Sequence, residues 1–516
     1  MHNAGTVRDL LGYAALLLVV ACAAPRPASA PAPPSRAGAP CPLDDPGPPP
    51  APEDAPVPAP RKQAWEEARG GREAARPFVR ARLQGWPAHE RVPAAALPAD
   101  DDAFLHRLAA DTWRGLDAFR DRENGLPVDH VRVGRDGGDW EVGDYVNVST
   151  IGLYLAAVVA AHELALVDAA GAESRLTHLL ATVEELETHR GHLFNYYDTT
   201  SRERTSRFLS FVDTGWLTAG LMVVRAAFPA LAPHATRLIE RMDLGFFYDR
   251  RSDAIRHGYR VERRAFSRYH YGMLYTEARL PILVAIGKSD VPESAWYTMT
   301  RTYPPECRGQ TLAPRAIRTR IVRGHRIEAG VYEWGGVAFV PSWGGSMFEA
   351  LMPALLLDEP RLTPQSFGAN DRAHAVVQRR YASEVLGLPV WGMSPSAIPG
   401  GRGYAEYGVP VLGARGYAAG AVTPHAAVLA LAVTPEAARA NLRQLVARYD
   451  VYGDFGLYDA VDPRDGRVAD TYLALDQSMI LIALANHLRD GAVQRRFESD
   501  PIAGRILSML AAEGFF

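Results

Sequence analysis

Residues 151–168 read IGLYLAAVVAAHELALVD, and this stretch decides the fold class. Its residues are apolar at nearly every position, and a helix that is apolar on all sides has to be buried in a large protein body. Further apolar stretches with helical spacing follow the same pattern, at 175–188, 214–230, 276–287, 346–357, 424–433, 436–448 and 473–490. We therefore predict about ten to twelve helices in one domain spanning residues 101–516.

The helices and the loops between them predict an all-α protein built as an (α/α)6 barrel, in which paired helices form two concentric rings. The loops are rich in Gly, Trp, Tyr, Asp and His, and we expect the loops at one rim of the inner ring to carry the chemistry. Strand-like alternation is sparse and lies mainly in 315–340, which predicts a small β-hairpin insertion. Residues 63–100 predict a short helical lead-in.

The N-terminus carries the pattern of an export signal. Residues 10–21 read LLGYAALLLVVA, an apolar run of the length found in signal peptides and too short to span a bilayer. Because Val19-Val20-Ala21-Cys22 resembles a lipobox, we predict that residues 1–22 form a lipoprotein signal peptide with lipidation at Cys22. An ordinary signal peptide cut near Ala24 or Ala30 is the alternative. Ala23 favours an outer-membrane lipoprotein facing the periplasm or cell surface.

Residues 23–62 hold 15 of the 39 prolines and predict a disordered tether, because such a segment cannot bury enough apolar surface to fold. Three cysteines are too few for a disulfide scaffold or a Cys-based zinc cluster. Lipidation of Cys22 would leave Cys41 and Cys307, which are either a disulfide formed in an oxidising compartment or two free thiols.

Composition and motifs narrow the function classes. With 56 Lys and Arg against 59 Asp and Glu, the formal charge is −3, which argues against a nucleic-acid-binding protein. The sequence contains no GxGxxG, P-loop, HExxH or CxxC motif, so nucleotide, zinc-protease and redox functions have no support. We expect no metal and no organic cofactor, and we expect a monomer.

Five groups of loop residues combine a carboxylate with aromatic or amide neighbours. They are 125–130; 195–198 with 210–216; 269–272 with 276–279; 334–336 with 343–349; and 404–407 with Tyr472, Asp476 and Gln477. Sugar recognition requires this mixture, because aromatic rings stack on pyranose faces while polar side chains bind the hydroxyls. Hydrolysis of a glycosidic bond then requires two carboxyl groups, one protonated and one ionised.

Each of these residues also has a purely structural explanation. Ser346 and Glu349 have the spacing of a capping box, and Thr276 is a possible N-cap that would place Glu277 in the first turn of a helix. Asp213, which precedes Thr214 and Gly215, would likewise be a carboxylate in the first turn of a helix. Trp216 and Tyr154 fit the hydrophobic core better than a sugar-stacking surface, and His270 fits a packing role as well as a ligand contact. His192 and His257 have no spacing that suggests a metal site.

Taken together, these residues give the chain a resemblance to the bacterial glycoamylase-like family, whose members include β-1,2-glucanases. The middle domain of cyclic β-1,2-glucan synthases is a more distant relative. The resemblance runs from about Trp113 to about Phe497. Its segments are GLPVDH (125–130), NVSTIGLYLAAVVAAHELAL (147–166), GHLFNYYDTTS (191–201), SFVDTGWLTAGL (210–221), YHYGMLYTEARL (269–280), SWGGSMFEALMP (342–353), WGMSPSA (391–397), VTPHAAVLAL (422–431), GLYDAVDP (456–463) and LDQSMILIALANHL (475–488).

The resemblance implies an (α/α)6 barrel and a glycoside hydrolase, with an oligo- or polysaccharide, β-1,2-glucan in particular, as substrate. The family positions match Glu277 and Glu349 as the central catalytic carboxylates, with Asp213 and Asp129 as partners or sugar-binding acids. The predicted sugar contacts are Trp343, His270, Tyr271, Arg279, Tyr197, Asp198, Tyr404, Glu406 and Gln477. The chain departs from the family pattern in TEAR, in Phe211 before VDTG and in PHAA, and none of these departures removes an acid.

Two other functions are compatible with the same residues. The protein would be a non-catalytic envelope lipoprotein if it binds glycan and cleaves nothing. It would be a glycosidase of the same fold with another substrate if it cleaves, for example, an α-glucan.

Overall fold

The computed structural model describes residues 57–135, 138–303 and 312–516. The predicted signal peptide, Cys22, Cys41 and Cys307 lie outside the described residues, so lipidation and the disulfide stay predictions.

Helices dominate the described part of the chain. They are α1 (Pro60–Glu67), α2 (Arg72–Ala81), α3 (Asp101–Ala118), α4 (Val148–Glu163), α5 (Ala169–Glu185), α6 (Phe211–Ala227), α7 (Ala232–Arg241), α8 (Arg279–Gly287), α9 (Ser294–Tyr297), α10 (Met347–Leu351), α11 (Glu359–Leu362), α12 (Phe367–Arg380), α13 (Pro424–Leu429), α14 (Pro435–Arg448), α15 (Ala474–Leu488), α16 (Ala492–Glu498) and α17 (Pro501–Ala511). Short 3₁₀ turns extend two of them, Pro353–Leu355 after α10 and Ala430–Ala432 after α13.

Six of the eight apolar stretches form the innermost helices, while 175–188 and 436–448 belong to the outer helices α5 and α14. α4 packs against α6 and α15, α8 packs against α6, and α13 packs against both α10 and α15. Each of these six helices also has an outer partner: α5 on α4, α7 on α6, α17 on α8, α12 on α10, α14 on α13 and α3 on α15. The outer helices shield the apolar inner ones from water, which explains why α4 is buried from Val148 through Ala161.

Two glycines allow α4 and α6 to cross closely. A Cβ atom on Gly220 would lie 2.1 Å from the backbone oxygen of Gly152, and one on Gly152 would lie 2.4 Å from that of Trp216. Any larger residue would push the two helices apart. Trp216 itself is buried in the core, as the packing interpretation predicts.

The strands are short and form small antiparallel sheets in the connections between helices. They are β1 (His130–Arg132), β2 (Glu141–Gly143), β3 (Tyr145–Asn147), β4 (Thr188–His189), β5 (His192–Leu193), β6 (Tyr196–Asp198), β7 (Phe208–Ser210), β8 (Tyr248–Asp249), β9 (Ala254–Arg256), β10 (Gly258–Arg260), β11 (Ala265–Phe266), β12 (His270–Tyr271), β13 (Arg315–Val322), β14 (His325–Trp334), β15 (Val337–Phe339), β16 (Ser396–Ala397), β17 (Tyr404–Ala405), β18 (Tyr452–Gly453), β19 (Gly456–Leu457), β20 (Ala460–Val461), β21 (Val468–Ala469) and β22 (Thr471–Leu473). The predicted hairpin at 315–340 is a three-stranded sheet in the order β13-β14-β15, because Phe339 pairs with Tyr332 beyond the second turn.

The lead-in differs from the expectation in two respects. It contains two helices, α1 and α2, and α1 begins at Pro60, inside the last residues assigned to the tether. Proline suits the first position of a helix because its missing N–H would have no partner there. Lys62 anchors α1 to the body, since its buried ammonium forms ion pairs with Asp144 and Asp198.

In the three described ranges, no helix has both the length and the apolar character needed to cross a membrane.

Candidate active site

An open cavity lies at the N-terminal ends of the inner helices. It contains about 820 Å³ of space, including its mouth. Residues at the starts of α4, α6, α10 and α15 and from the connecting loops line it: Asp129, Asn147, Ser149, Thr150, Tyr196, Val212, Tyr271, Glu277, Phe348, Glu349, Pro395, Tyr404, Glu406, Tyr417, Leu473 and Leu475. The helix ends therefore bring together residues that are more than 300 positions apart in the sequence.

The lining is acidic and aromatic. Within the described part of the chain it contains four carboxylic acids, four tyrosines and a phenylalanine, and no lysine or arginine. An anionic ligand would meet only repulsion in such a cavity. A neutral ligand with apolar faces and hydroxyl groups suits it, and so does a positive charge that develops during a reaction.

Glu277 is the carboxyl that keeps its proton. It precedes α8 rather than forming part of it, since the helix begins at Arg279, so Thr276 is not the N-cap of this helix. Glu277 is 5% exposed, and within the described residues its Oε2 accepts no hydrogen bond. Burial, followed by the negative charge of Glu349, raises the pKa of Glu277 to about 8.

Glu349 lies in the same cavity and is surrounded by donors. Its carboxylate accepts hydrogen bonds from the backbone N–H of Gly344 at 3.0 Å and of Ser346 at 3.2 Å, and from the hydroxyl of Ser342 at 2.9 Å. Burial raises the pKa of Glu349, and these donors oppose the rise by stabilising the ionised form. The capping box with Ser346 is present, so Glu349 both caps α10 and lines the cavity.

Asp213 and Asp129 approach the cavity from two sides. Asp213 lies in the first turn of α6, where its N–H donates to Ser210, and it is buried behind the lining. Burial raises the pKa of Asp213 to about 6, and its charge contributes to the raised pKa of Glu277. Asp129 lines the cavity directly, and its Oδ2 lies 2.9 Å from Nδ1 of His130.

Three of the predicted sugar contacts line the cavity: Tyr271, Tyr404 and Glu406. Burial and then the charge of Glu349 raise the pKa of Glu406 to about 7, while a hydrogen bond from Tyr417 opposes the rise. The charge of Glu349 therefore raises the pKa of both Glu277 and Glu406, and removing Glu349 would lower both.

Trp343, Arg279 and Tyr197 lie away from the cavity lining. Trp343 is packed in the hydrophobic core next to the Gly344 turn, with Arg415 5.6 Å from its ring. Arg279 is fully buried and paired with Glu359. The hydroxyl of Tyr197 accepts a hydrogen bond from the N–H of Phe194 and donates to a backbone carbonyl, so it serves the loop rather than a ligand.

Asp198, His270 and Gln477 are also outside the lining. Asp198 belongs to the ion-pair group of Lys62. Nε2 of His270 lies 3.1 Å from Asp249, so the ring is held in the β8–β9–β12 sheet. The side-chain amide of Gln477 donates to the carbonyl of Leu457.

Sequence reasoning missed several lining residues, among them Tyr196, Tyr417, Asn147, Ser149 and Phe348. A usable signal existed for Tyr196. Successive residues of a strand point to opposite faces, so Tyr196 and Tyr197 on β6 are not equivalent, and only one of them faces the cavity. For Tyr417 we find no comparable signal, because it lies in a long loop between β17 and α13.

A second buried group of acids lies behind the Tyr404 side of the cavity. The ligand-type atoms of His425, Asp459 and Asp476 lie within 4.8 Å of one another, a geometry that would suit a metal ion. Burial lowers the pKa of His425 to about 4 and raises that of Asp476 to about 7, and burial with the Asp476 charge raises that of Asp459. A neutral imidazole and one proton shared by the two carboxyls leave this group with a single net negative charge.

Parts of the chain are similar to known protein families and to a known enzyme. Residues 315–501 match the Glycoamylase family, described as "Putative glucoamylase", and residues 107–257 match DUF3131, described as a protein of unknown function. The cyclic β-(1,2)-glucan synthase NdvB of Rhizobium meliloti (strain 1021) is 31% identical over 277 residues, which are 51% of this chain and 9% of the synthase. The chain thus spans less than a tenth of that relative's length.

Two solved structures share the fold. A "putative glucoamylase" from Bacteroides caccae has a TM-score of 0.62 at 19% identity, with 80% of this chain and 99% of the other covered. An endo-β-1,2-glucanase from Chitinophaga pinensis, solved with sophorotriose and glucose, has a TM-score of 0.62 at 16% identity, with 80% and 98% covered. The predicted resemblance is confirmed: residues 315–501 are similar to the Glycoamylase family, and the mostly helical fold is shared with an endo-β-1,2-glucanase.

Proposed function

We propose that this protein is a glycoside hydrolase that cleaves β-glucan, with β-1,2-glucan as its substrate. The observation that carries the proposal is the pairing of Glu277 and Glu349 in one cavity with opposite hydrogen-bond surroundings. A glycosidase requires this combination, because one carboxyl has to deliver a proton while another has to be ionised.

The roles follow from the surroundings of each carboxyl. Glu277 holds its proton at neutral pH and donates it to the leaving glycosidic oxygen as the bond to the anomeric carbon breaks. Glu349, whose ionised form is held by three donor groups, faces the developing positive charge on the sugar ring. Water supplies the hydroxyl group of the new reducing end, and its remaining proton returns to a carboxylate of the cavity.

The substrate class rests on the lining and on the relatives. Four tyrosines and Phe348 offer surfaces for pyranose rings, and the acidic lining, which contains no lysine or arginine, disfavours anionic glycans. The related synthase and glucanase are both named for β-1,2-glucan, which is why we place this linkage first.

The arrangement of the helices supports the predicted (α/α)6 barrel. Six buried helices, α4, α6, α8, α10, α13 and α15, each have an outer partner, and α16 also packs on α4, α6 and α15. The N-terminal ends of the six, or the residues just before them, surround the cavity and the acids behind it. We propose that these six helices form the inner ring.

We also propose export, lipid anchoring at Cys22 and a monomeric state. The apolar run 10–21, the lipobox-like residues before Cys22 and the proline-rich segment after it support the first two. Labelling of the expressed full chain with a fatty-acid analogue, compared with Cys22→Ser, tests the anchor; equal labelling of both would refute it.

Size-exclusion chromatography of the detergent-extracted chain tests the monomeric state, and a mass near that of two chains would refute it.

Incubation of the full chain with β-1,2-glucan tests the activity, with new reducing ends as the readout. Parallel incubations with β-1,3-, β-1,4- and α-1,4-glucans establish the linkage. Cleavage of β-1,2-glucan alone supports the proposal, and cleavage of α-1,4-glucan alone would replace it with an α-glucan hydrolase. Binding of glucan without any cleavage would make the protein a glycan-binding lipoprotein instead.

A further inference from the structure

Arg279 is a fully buried arginine whose five N–H donors all have acceptors. Nε and Nη2 form a bidentate pair with the carboxylate of Glu359, at 2.8 and 2.7 Å. Nη1 donates to the carbonyls of Thr276 at 3.1 Å and Glu349 at 2.9 Å. Nη2 also donates to the carbonyl of Ala350 at 2.6 Å.

These acceptors belong to the two segments that carry the central carboxyls. Arg279 follows Glu277 by two residues and binds the backbone of its own turn at Thr276. It also binds the backbone of Glu349 itself and of the next residue in α10. A single guanidinium thus joins the proton-donor segment to the segment of the ionised partner.

The remaining contacts hold the guanidinium in place. Glu359 is completely buried at the start of α11, and Asp371 on α12 lies 3.6 Å from Nη2 of Arg279. The hydroxyl of Tyr275 donates to Asp371 at 2.5 Å. Residues of α11, α12 and the loop before α8 therefore fix the position from which Arg279 binds α10.

We propose that Arg279 is a positioning residue that sets the placement of Glu349 relative to Glu277. This inference rests on the proposed function and adds how its geometry is maintained. The β13–β14–β15 sheet separates α8 from α10 along the chain, so the two carboxyl segments are not neighbours in sequence, and Arg279 joins them directly. Lysine would keep the charge but could not reproduce the planar fork that reaches three carbonyls and a carboxylate.

Arg279→Lys tests the proposal, with Arg301→Lys as the matched control. Arg301 is equally buried and forms the same bidentate pair, with Glu513 at 3.0 and 2.8 Å, but it does not contact either carboxyl segment. We expect both variants to melt at a lower temperature than the parent. Only Arg279→Lys should lose kcat per folded molecule, by about 100-fold, while its KM stays near the parent value. A loss of this size is expected when the reacting groups are displaced by about 1 Å. Equal kcat values in the two variants would overturn the proposal.

A second variant and a second readout keep the test valid if Arg279→Lys does not fold. In the double variant Arg279→Met/Glu359→Met both buried charges are removed, which proteins tolerate better than the loss of one. The infrared carbonyl band of protonated Glu277, assigned by its loss in Glu277→Gln, reports the titration of that group without any substrate. A changed midpoint in Arg279→Lys, which keeps the charge, together with an unchanged one in Arg301→Lys, supports positioning. Because the charge of Arg279 itself lowers the pKa of Glu277, its loss in the double variant raises the midpoint, and there only a lowered midpoint, from a Glu349 that has moved away, supports positioning. An unchanged midpoint in Arg279→Lys, or a raised one in the double variant where Arg279→Lys does not fold, would refute it. If the parent cleaves no glycan, the proposed function fails, while the infrared result still tests the role of Arg279.

Discussion

Glu277 and Glu349 face the same cavity, but their surroundings differ in one decisive respect. Both are almost completely buried, at 5% and 2% exposure, and burial raises the pKa of each. Glu349 accepts hydrogen bonds from Ser342, Gly344 and Ser346, whereas Oε2 of Glu277 accepts none among the described residues. Burial therefore makes both carboxyls hold protons more tightly, and the hydrogen-bond donors determine which of them ionises first.

The difference originates in the local sequence. Ser346 is the N-cap of α10 and Glu349 its third residue, so the capping box directs the N–H of Ser346 at this carboxylate. The turn before the helix adds the N–H of Gly344 and the hydroxyl of Ser342. The helix after Glu277 has no capping side chain, since its N-cap is Ala278, and Glu277 is left outside the helix. A capping motif on one side and its absence on the other thus give the ionised form of Glu349 hydrogen-bond donors that Oε2 of Glu277 lacks among the described residues.

Exchange of each carboxyl for an amide should have the largest effect. We expect Glu277→Gln and Glu349→Gln to reduce turnover of β-1,2-glucan by about 10²–10⁴-fold, because each removes a proton-transfer or charge-stabilising group. Reducing-end assays on purified variants measure the loss. Near-parent rates in both variants would show that other residues carry the reaction.

Glu349→Gln should lower the melting temperature more than Glu277→Gln does. Glu277→Gln alters a carboxyl whose Oε2 has no hydrogen-bond partner among the described residues, while Glu349→Gln places an amide NH₂ among backbone donors and weakens the cap of α10. Asp111→Asn is a suitable control, because Asp111 is a buried carboxylate paired with Arg107 and Arg114 away from the cavity. It should lower the melting temperature and leave turnover unchanged. A Glu349→Gln variant that loses melting temperature but no activity would leave the cap as its sole role.

The pH profile of the parent should show which carboxyl holds the proton. Since Glu277 has to be protonated and its pKa is about 8, kcat/KM should fall as the pH rises through about 8. As the pH falls, kcat/KM should decrease when Glu349 takes up a proton. Because the pKa of Glu349 is raised, this decrease should occur at a higher pH than the ordinary pKa of a glutamate. Activity that persists undiminished to pH 10 would contradict a proton donor at Glu277.

A smaller effect should appear in stability against pH. The pKa of Glu277 is higher in the folded state than in an unfolded chain, so its contribution to stability is complete below about 4.5 and is lost as the pH rises to about 8. Glu277→Gln removes this loss. Its melting temperature relative to the parent should therefore be higher at pH 9 than at pH 5, and calorimetry at the two pH values measures the difference. An identical offset at both pH values would contradict the raised pKa.

The sequence predicts the helical body well because its inner helices are apolar on all sides. The stretch 436–448 corresponds to α14 at Pro435–Arg448, and 473–490 corresponds to α15 at Ala474–Leu488. Segment 276–287 begins three residues too early, since Thr276 and Glu277 precede α8. Apolar periodicity indicates that a helix exists, but the start of a helix depends on caps, and this one lacks a capping side chain.

The site was predictable where an acid stands at a helix start, as Glu349 and Asp213 do. It was not predictable where the direction of a side chain determines whether the residue reaches the cavity. Arg279 has the chemistry of a sugar ligand, but Glu359, 80 positions later, turns it into the core. Trp343 and Tyr197 lie next to lining residues along the chain or in space, and their rings face the other way. The spacing of residues within a loop does not specify these directions.

Removal of one donor from Glu349 is the finest test of the contrast between the two carboxyls. Ser342→Ala deletes the hydroxyl that donates to Glu349 at 2.9 Å and also accepts from the N–H of Gly345. The ionised form of Glu349 then loses a partner, so the acid side of the pH profile should move to higher pH while the alkaline side stays in place. Ser394→Ala is the matched control, because its buried hydroxyl accepts from the N–H of Phe348 on the same helix without contacting Glu349. Both variants should lose about 1 kcal/mol of stability through the unpaired N–H, but only Ser342→Ala should shift the profile. A shift in both, or in neither, would mean that burial alone sets the titration of Glu349.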